Sequence, residues 1–459
     1  MDSHTIEVIG HTGQGAFTAA AFVALAGGFV ALLLQIGFGL LTTGMVRAKN
    51  AAHTMASGVM TFSAGLLGYW ATGFALQAGG HGHDIGLGGH SSWLVGWGFF
   101  PNVAAGPYGA IALVLGGVAA LVPATIPLGA IAERTKLSAW TVFAFIVTAV
   151  IYPVFAGWSW HDGWLSDLGR RFGLGHGLVD CAGSGVVHMT GGVLALVAAK
   201  MVGSRLGKFG VRGDVRPIPA HSVPLAVLGT ALLVSAWFVL AVVLSVLGSG
   251  ADAGVVTANT LLACAAGGMV AFLHTRLRFG RPDLTMMCNG VLAGLVAMGA
   301  SGSFIGTASA GLVGAVASLL AIEGALWAER RLKLDDPVGA FAVHGIGGAW
   351  GLIAVGLFAD GRSGAGLHGV VGPVRGLVAG SAGQLVASLL GVAANLMWVL
   401  PVALVSLAIL NKAIGLRASA DDEIGGLDVP ELGMTGYVTE AVGGNPGRAG
   451  KPTRDAWRS

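Results

Sequence analysis

Apolar runs, broken only by short charged connections, fill most of the chain. Reading from charge to charge gives candidate helices near 17–44, 52–78, 107–132, 138–157, 181–199, 222–247, 254–275, 284–300, 304–327, 338–358 and 378–411, eleven in all. Each approaches the roughly 20 residues that a helix needs to cross a hydrocarbon core about 30 Å thick. The charge-free stretch 284–322 is too long for one crossing and divides at Ser301-Gly302-Ser303, a local breaker. The stretch 376–411 could be one long tilted helix or two short ones; with no clear breaker inside, it reads as one.

Charge tests this division independently. Only 10% of the 459 residues are charged and 54% are apolar, which excludes a soluble domain. With the N-terminus outside, the inner loops hold Arg47 and Lys49, Arg134 and Lys136, Lys200 to Arg216, Arg276 to Arg281, and Arg330 to Lys333, and the C-terminal tail is inside as well. That leaves only Arg170, Arg171, Arg362 and Arg375 outside, so 21 of the 25 basic residues lie on one side. One helix more or fewer midway would scramble the alternation. The pattern predicts an all-α polytopic protein of a cell membrane, N-terminus outside and C-terminus cytoplasmic. Residues 1–412 form the membrane domain, and 413–459 a polar tail that begins at Asp421-Asp422-Glu423, turns Gly- and Pro-rich, and reads as partly ordered. The loop 79–106, rich in Gly and His, falls outside.

The remaining composition narrows the chemistry. A net charge of +3 with no arginine-rich or aromatic platform argues against nucleic acid as a partner. Cys181, Cys264 and Cys288 form no CxxC pair and read as packing residues, so neither a metal site nor a cofactor is expected. No Lys or Arg precedes the first apolar run, which gives no support for a cleaved secretory signal.

Two segments share one pattern. Asp180 to Gly192 and Asp336 to Gly348 both read D-x2-G-x3-V-H-x2-G-G, with histidines at 188 and 344. By the topology above, the first enters from outside and the second from inside, the mark of an inverted repeat. Helices 1–5 and 6–10 are then the two halves, with the eleventh left over. Eight residues of helix place each histidine roughly 12 Å in, so the two approach the midplane from opposite faces. A lone intramembrane histidine is well explained by packing, but two at matched depth point to a functional pair. The glycines beyond them allow close helix approach, and packing accounts for them. Helix capping accounts for Asp336, which adjoins Asp335 and Pro337. Asp180 opens its helix at the outer mouth, after Trp158, Trp160 and Trp164, where a carboxylate and indoles suit a small cation. An interfacial belt explains two of those three tryptophans.

At these residues the chain resembles the ammonium transporter family of the Amt/Mep/Rh class. The matching strings are Gly44 to Asn50, Ala132 to Thr135, Tyr152 to Trp160, Asp180 to Gly192, Asn289 to Leu295 and Asp335 to Gly351, spread over helices 1 to 10. The resemblance implies a homotrimer whose subunits each carry a narrow pore through eleven helices. It implies that ammonium is recruited at an outer vestibule, gives up its proton and passes inward as ammonia. By position, Trp160 is the vestibule aromatic, Asp180 supports recruitment, and His188 and His344 are the pore pair.

The chain departs from the family pattern at the outer mouth. Two stacked phenylalanines usually close it; their positions here hold Ala119 and Leu240, and the vestibule serine position holds Leu244. The tail's Gly426-Leu427-Asp428 is similar to the family's C-terminal motif, with Leu432 where histidine is usual. The partners expected are ammonium or ammonia, the lipid bilayer, and a signal-transduction regulator on the inner loops and tail. Three other readings stand beside transport: a non-conducting ammonium-binding sensor, an intramembrane enzyme, and a channel for another small amine or gas. The enzyme reading is disfavoured, since the sequence has no H-E-x-x-H string.

Overall fold

The computed structural model describes residues 14–78 and 107–437. The N-terminus, the outer loop 79–106 and the last part of the tail, all placed by the sequence pattern, lie outside the described residues. Eleven helices long and apolar enough to cross a membrane are found among those described: α1 (Ala21–Met45), α2 (Ala48–Gln77), α3 (Ala110–Ile131), α4 (Leu137–Trp160), α5 (Ser184–Val202), α6 (Val223–Ser249), α7 (Ala253–Phe279), α8 (Leu284–Ser301), α9 (Thr307–Arg331), α10 (Phe341–Phe358) and α11 (Ala382–Ala413). Two short helices, α12 (Ala420–Gly425) and α13 (Asp428–Leu432), follow in the tail.

Local chemistry sets many of the ends. Asp252 and Asp283 cap α7 and α8 by accepting their first free amides. Gly250 and Gly280 close α6 and α7 in the left-handed region that glycine adopts freely. α9 starts at Thr307 rather than near 304, because 302–306 form a turn whose Gly302 and Ile305 carbonyls accept both protons of the buried Asn259 amide. α11 is continuous through Pro401.

The halves pack alike. α3 lies against α5 as α8 lies against α10, α2 against α4 as α7 against α9, and α1 meets its counterpart α6. The crossing of the two repeat segments is reciprocal. A Cβ on Gly192 would strike the backbone of Gly345, the residue after His344; one on Gly348 would strike Ser184 and Met189, the residue after His188. The second glycine of each motif is therefore required by the close approach of the other motif's backbone.

The loops after α1, α3, α5 and α9 meet on one face, where several basic residues counted as loop charges are buried. Arg205 bridges Glu133 at 2.6 Å and Asp335 at 2.8 Å. Glu133 also pairs with Arg47 and accepts from Asn50. The fully buried Arg134 donates to the carbonyls of Ala130, Ala132, Gly203 and Asp335. Burial alone would raise the Asp335 carboxyl, yet Arg205 and Arg134 hold it down at about 2. Residues 414–437 of the tail are fastened to this face rather than loose. Arg417 donates to the Val202 and Ser204 carbonyls and pairs with the buried Glu423, and Asp428 accepts from the amides of Ala52 and His53.

Candidate functional site

Each repeat motif folds into the same local device. The Asp180 carboxylate turns back onto its own helix and accepts from Gly183 N at 3.0 Å and from Gly185 N and Val186 N at 2.8 Å. Asp336 does the same to Gly339 N at 3.0 Å and Phe341 N at 2.9 Å. The turn between carboxylate and helix needs a left-handed residue, supplied by Gly183 at φ +89° and Gly339 at φ +75°. α5 and α10 then open not as regular helix but as wide π-turns, Ser184–Met189 and Phe341–Ile346, each carrying its histidine. α8 anchors both segments. Ser184 Oγ donates to Val296 O and accepts from Ala300 N, each at 2.7 Å, while Asn289 Nδ2 donates to Val338 O at 3.1 Å.

The structure brings His188 and His344 together. Their Nδ1 atoms are 3.1 Å apart, and their rings stack with centroids at 5.1 Å and planes 19° from parallel. One Nδ1 must donate and the other accept. The surroundings are apolar and aromatic. Trp237 of α6 lies 4.2 Å from the His188 ring, and Phe38 of α1 lies 6.0 Å from that of His344. His188 Nε2 and Trp237 Nε1 are both buried without a partner. On the other side His344 borders a cavity lined by Phe38, Thr42, Ile126, Asn289, Leu292 and Val343.

Trp160 and Asp180 are also neighbours, but through the backbone. The Trp160 indole donates to the Asp180 carbonyl, and the Asp180 carboxylate, 3% exposed, faces the α5 amides rather than an open mouth. Burial pushes that carboxyl up to about 6, against the pull of the amides it accepts from. Trp158 packs in an aromatic cluster with Phe155, Trp164 and Trp398. Ala119 and Leu240 are buried, and Leu244 is partly buried against the same core, so no hydroxyl stands at these three positions.

Trp237, Phe38 and Asn289 escaped the sequence reading as site residues. Trp237 and Phe38 lie inside uniformly apolar runs, where nothing local separates a pore wall from a core.

Comparison with known proteins agrees with this architecture. The sequence model of the Ammonium Transporter Family matches residues 21–437. The ammonium transporter Amt2 of Archaeoglobus fulgidus is 40% identical over 417 residues, covering 90% of this chain and 87% of the relative. The ammonium transporter Amt1 of Haloferax mediterranei is 36% identical, over 93% of this chain and 81% of its own length. Among solved structures, a sensor Amt protein superposes with a TM-score of 0.78 at 30% identity, over 90% of this chain and 98% of that one. Mep2 of Saccharomyces cerevisiae superposes with a TM-score of 0.73 at 26% identity, over 88% of each. With the match running through both repeat motifs and from the first spanning helix into the tail, the chain belongs to the ammonium transporter family.

Proposed function

We propose that this chain carries ammonium across a membrane by attracting the cation at the outer mouth, removing a proton there, and passing ammonia inward beside His188 and His344. The observation that carries the reading is the Nδ1 to Nδ1 contact of two buried imidazoles, 3.1 Å apart between aromatic walls. A bare cation is far costlier than a neutral amine in such surroundings. A stacked donor and acceptor pair offers ammonia hydrogen bonds on both sides and gives the released proton a place to stay or pass. Trp160 supplies a π-face at the mouth, and Asp180 acts from below by fixing the turn and placing negative charge behind it.

The remaining assignments follow the same reading. The N-terminus is outside and the tail is cytoplasmic in a cell membrane, supported by the basic residues gathered on the face to which the tail is bound. The functional unit is a homotrimer with one pore per subunit, and a signal-transduction regulator docks on the inner loops and tail.

The test is the current recorded on a solid-supported membrane after an ammonium jump in proteoliposomes, with methylammonium and potassium alongside. His188→Ala and His344→Ala are expected to abolish the ammonium response while the protein still folds. Undiminished flux in both would overturn the mechanism, and a wild-type protein without flux would leave only sensing.

A further inference from the structure

α11 is the helix that the inverted repeat leaves over, and its buried face carries three polar side chains among Ala, Gly, Val and Leu. Gln384, Ser388 and Asn395 are each 0% exposed, and Gly391 lies on the same face, where a Cβ would meet Leu178. Buried polar side chains in a spanning helix are costly and call for an explanation. Gln384 has one: it accepts from His176 N and donates to Gly177 O, each at 2.9 Å, fixing the loop that leads to Asp180. Asn395 reaches the turn that bears His188. Its Nδ2 donates to Thr190 Oγ1 at 2.8 Å and lies 3.4 Å from the Gly185 carbonyl, while its Oδ1 has no partner.

The wide turn is closed by two carbonyls: Gly183 O takes the amide of His188 at 3.0 Å, and Gly185 O is the acceptor further along. It takes the amide of Thr190, and the Thr190 hydroxyl lies on it at 3.3 Å. The second π-turn forms without such contacts, so they are not what creates a π-turn; they are extra restraints on the first one. The second half has no matching brace from its own turn: Ile346 stands where Thr190 stands in the first, with no group to donate.

We propose that Asn395 is a positioning residue for His188, holding the first π-turn, through Thr190 and the Gly185 carbonyl, at the register that aims His188 Nδ1 at His344 Nδ1. His188 is then the fixed member of the pair, and His344, beside the inner cavity, the adjustable one. The proposal rests on the histidine reading above and names what keeps that pair aligned.

The test compares Asn395→Leu, Thr190→Val, the double variant and His188→Ala in the ammonium-jump assay across pH. A merely structural Asn395, replaced by leucine, would lower the unfolding midpoint through its lost hydrogen bonds and leave the pH profile of the current as in the wild type. The expected result is a drop of about tenfold to a hundredfold in current for each single variant. The double variant should be no worse than the poorer single one, and the pH profile of the remaining current should shift, with thermal unfolding as in the wild type. A folded Asn395→Leu with wild-type current and pH profile overturns the proposal, as do losses that simply add. Should Asn395→Leu not fold, Thr190→Val decides in the same way. Wild-type current in His188→Ala would mean that the histidine reading itself has failed; its loss alongside an unaffected Asn395→Leu would sink only the role of Asn395.

Discussion

Gly192 and Gly348 occupy the point where the two histidine-bearing segments cross, each against the backbone of the other. Backbone cannot retreat as a flexible side chain can, so one added methyl is felt in full. Gly192→Ala is expected to cost at least about 1–3 kcal/mol, the usual range for overpacking, and to lower the midpoint of thermal unfolding in detergent. An unchanged midpoint would show that the crossing is looser than described. The motif made these glycines visible in the sequence, as it did the meeting of His188 and His344. The direction of the Asp180 carboxylate was not visible. Gly183 at φ +89° folds the carboxylate inward, and the letter glycine does not announce which backbone conformation it will adopt. Asn395 was hidden for a related reason, since its partners are about 200 residues away in sequence.

At the level of elements, the period of charge and apolarity was enough to place the eleven spanning helices found among the described residues, because each must bury its backbone polar groups internally. It could not show that α5 and α10 begin with π-turns, nor that Asn259 delays the start of α9, since both depend on contacts across the bundle. The C-terminal half of α6 gives a test at this scale. Leu240, one turn beyond Trp237, is fully buried where the family pattern places a phenylalanine. On the proposed reading, Leu240→Phe should lower the methylammonium current relative to that of ammonium. Equal ratios in the folded variant would count against a role for position 240 in selection. Ala119→Phe is a harsher change, because a side chain 2% exposed has little room to grow.

For the whole molecule, the face where the loops after α1, α3, α5 and α9 meet is held by charges that the sequence could count but not pair. Arg205→Met would leave Glu133 and Asp335 buried without their shared partner, a loss of about 3–5 kcal/mol. The expected readouts are a lower unfolding temperature and faster proteolysis of the tail, and unaltered stability would refute the bridge. Because the Asp335 carboxyl is lowered from 3.8 to about 2, its contribution, about 2 kcal/mol, is complete above pH 4 or so and fades as pH falls toward 2. Acid unfolding followed by tryptophan fluorescence should be shallower over that interval in Asp335→Asn. The reciprocal crossing at Gly192 and Gly348 bears on how the molecule can move. A carrier that rocks one half against the other must slide the halves past each other at their shared axis, but here that axis is backbone against backbone, with the stacked imidazoles beside it. Rocking would part the two imidazoles. On the proposed reading, passage would fall to small motions of side chains, and turnover should respond weakly to membrane thickness and lateral pressure, which act on large rearrangements of helices; a steep dependence of the ammonium-jump current on lipid chain length would count against it.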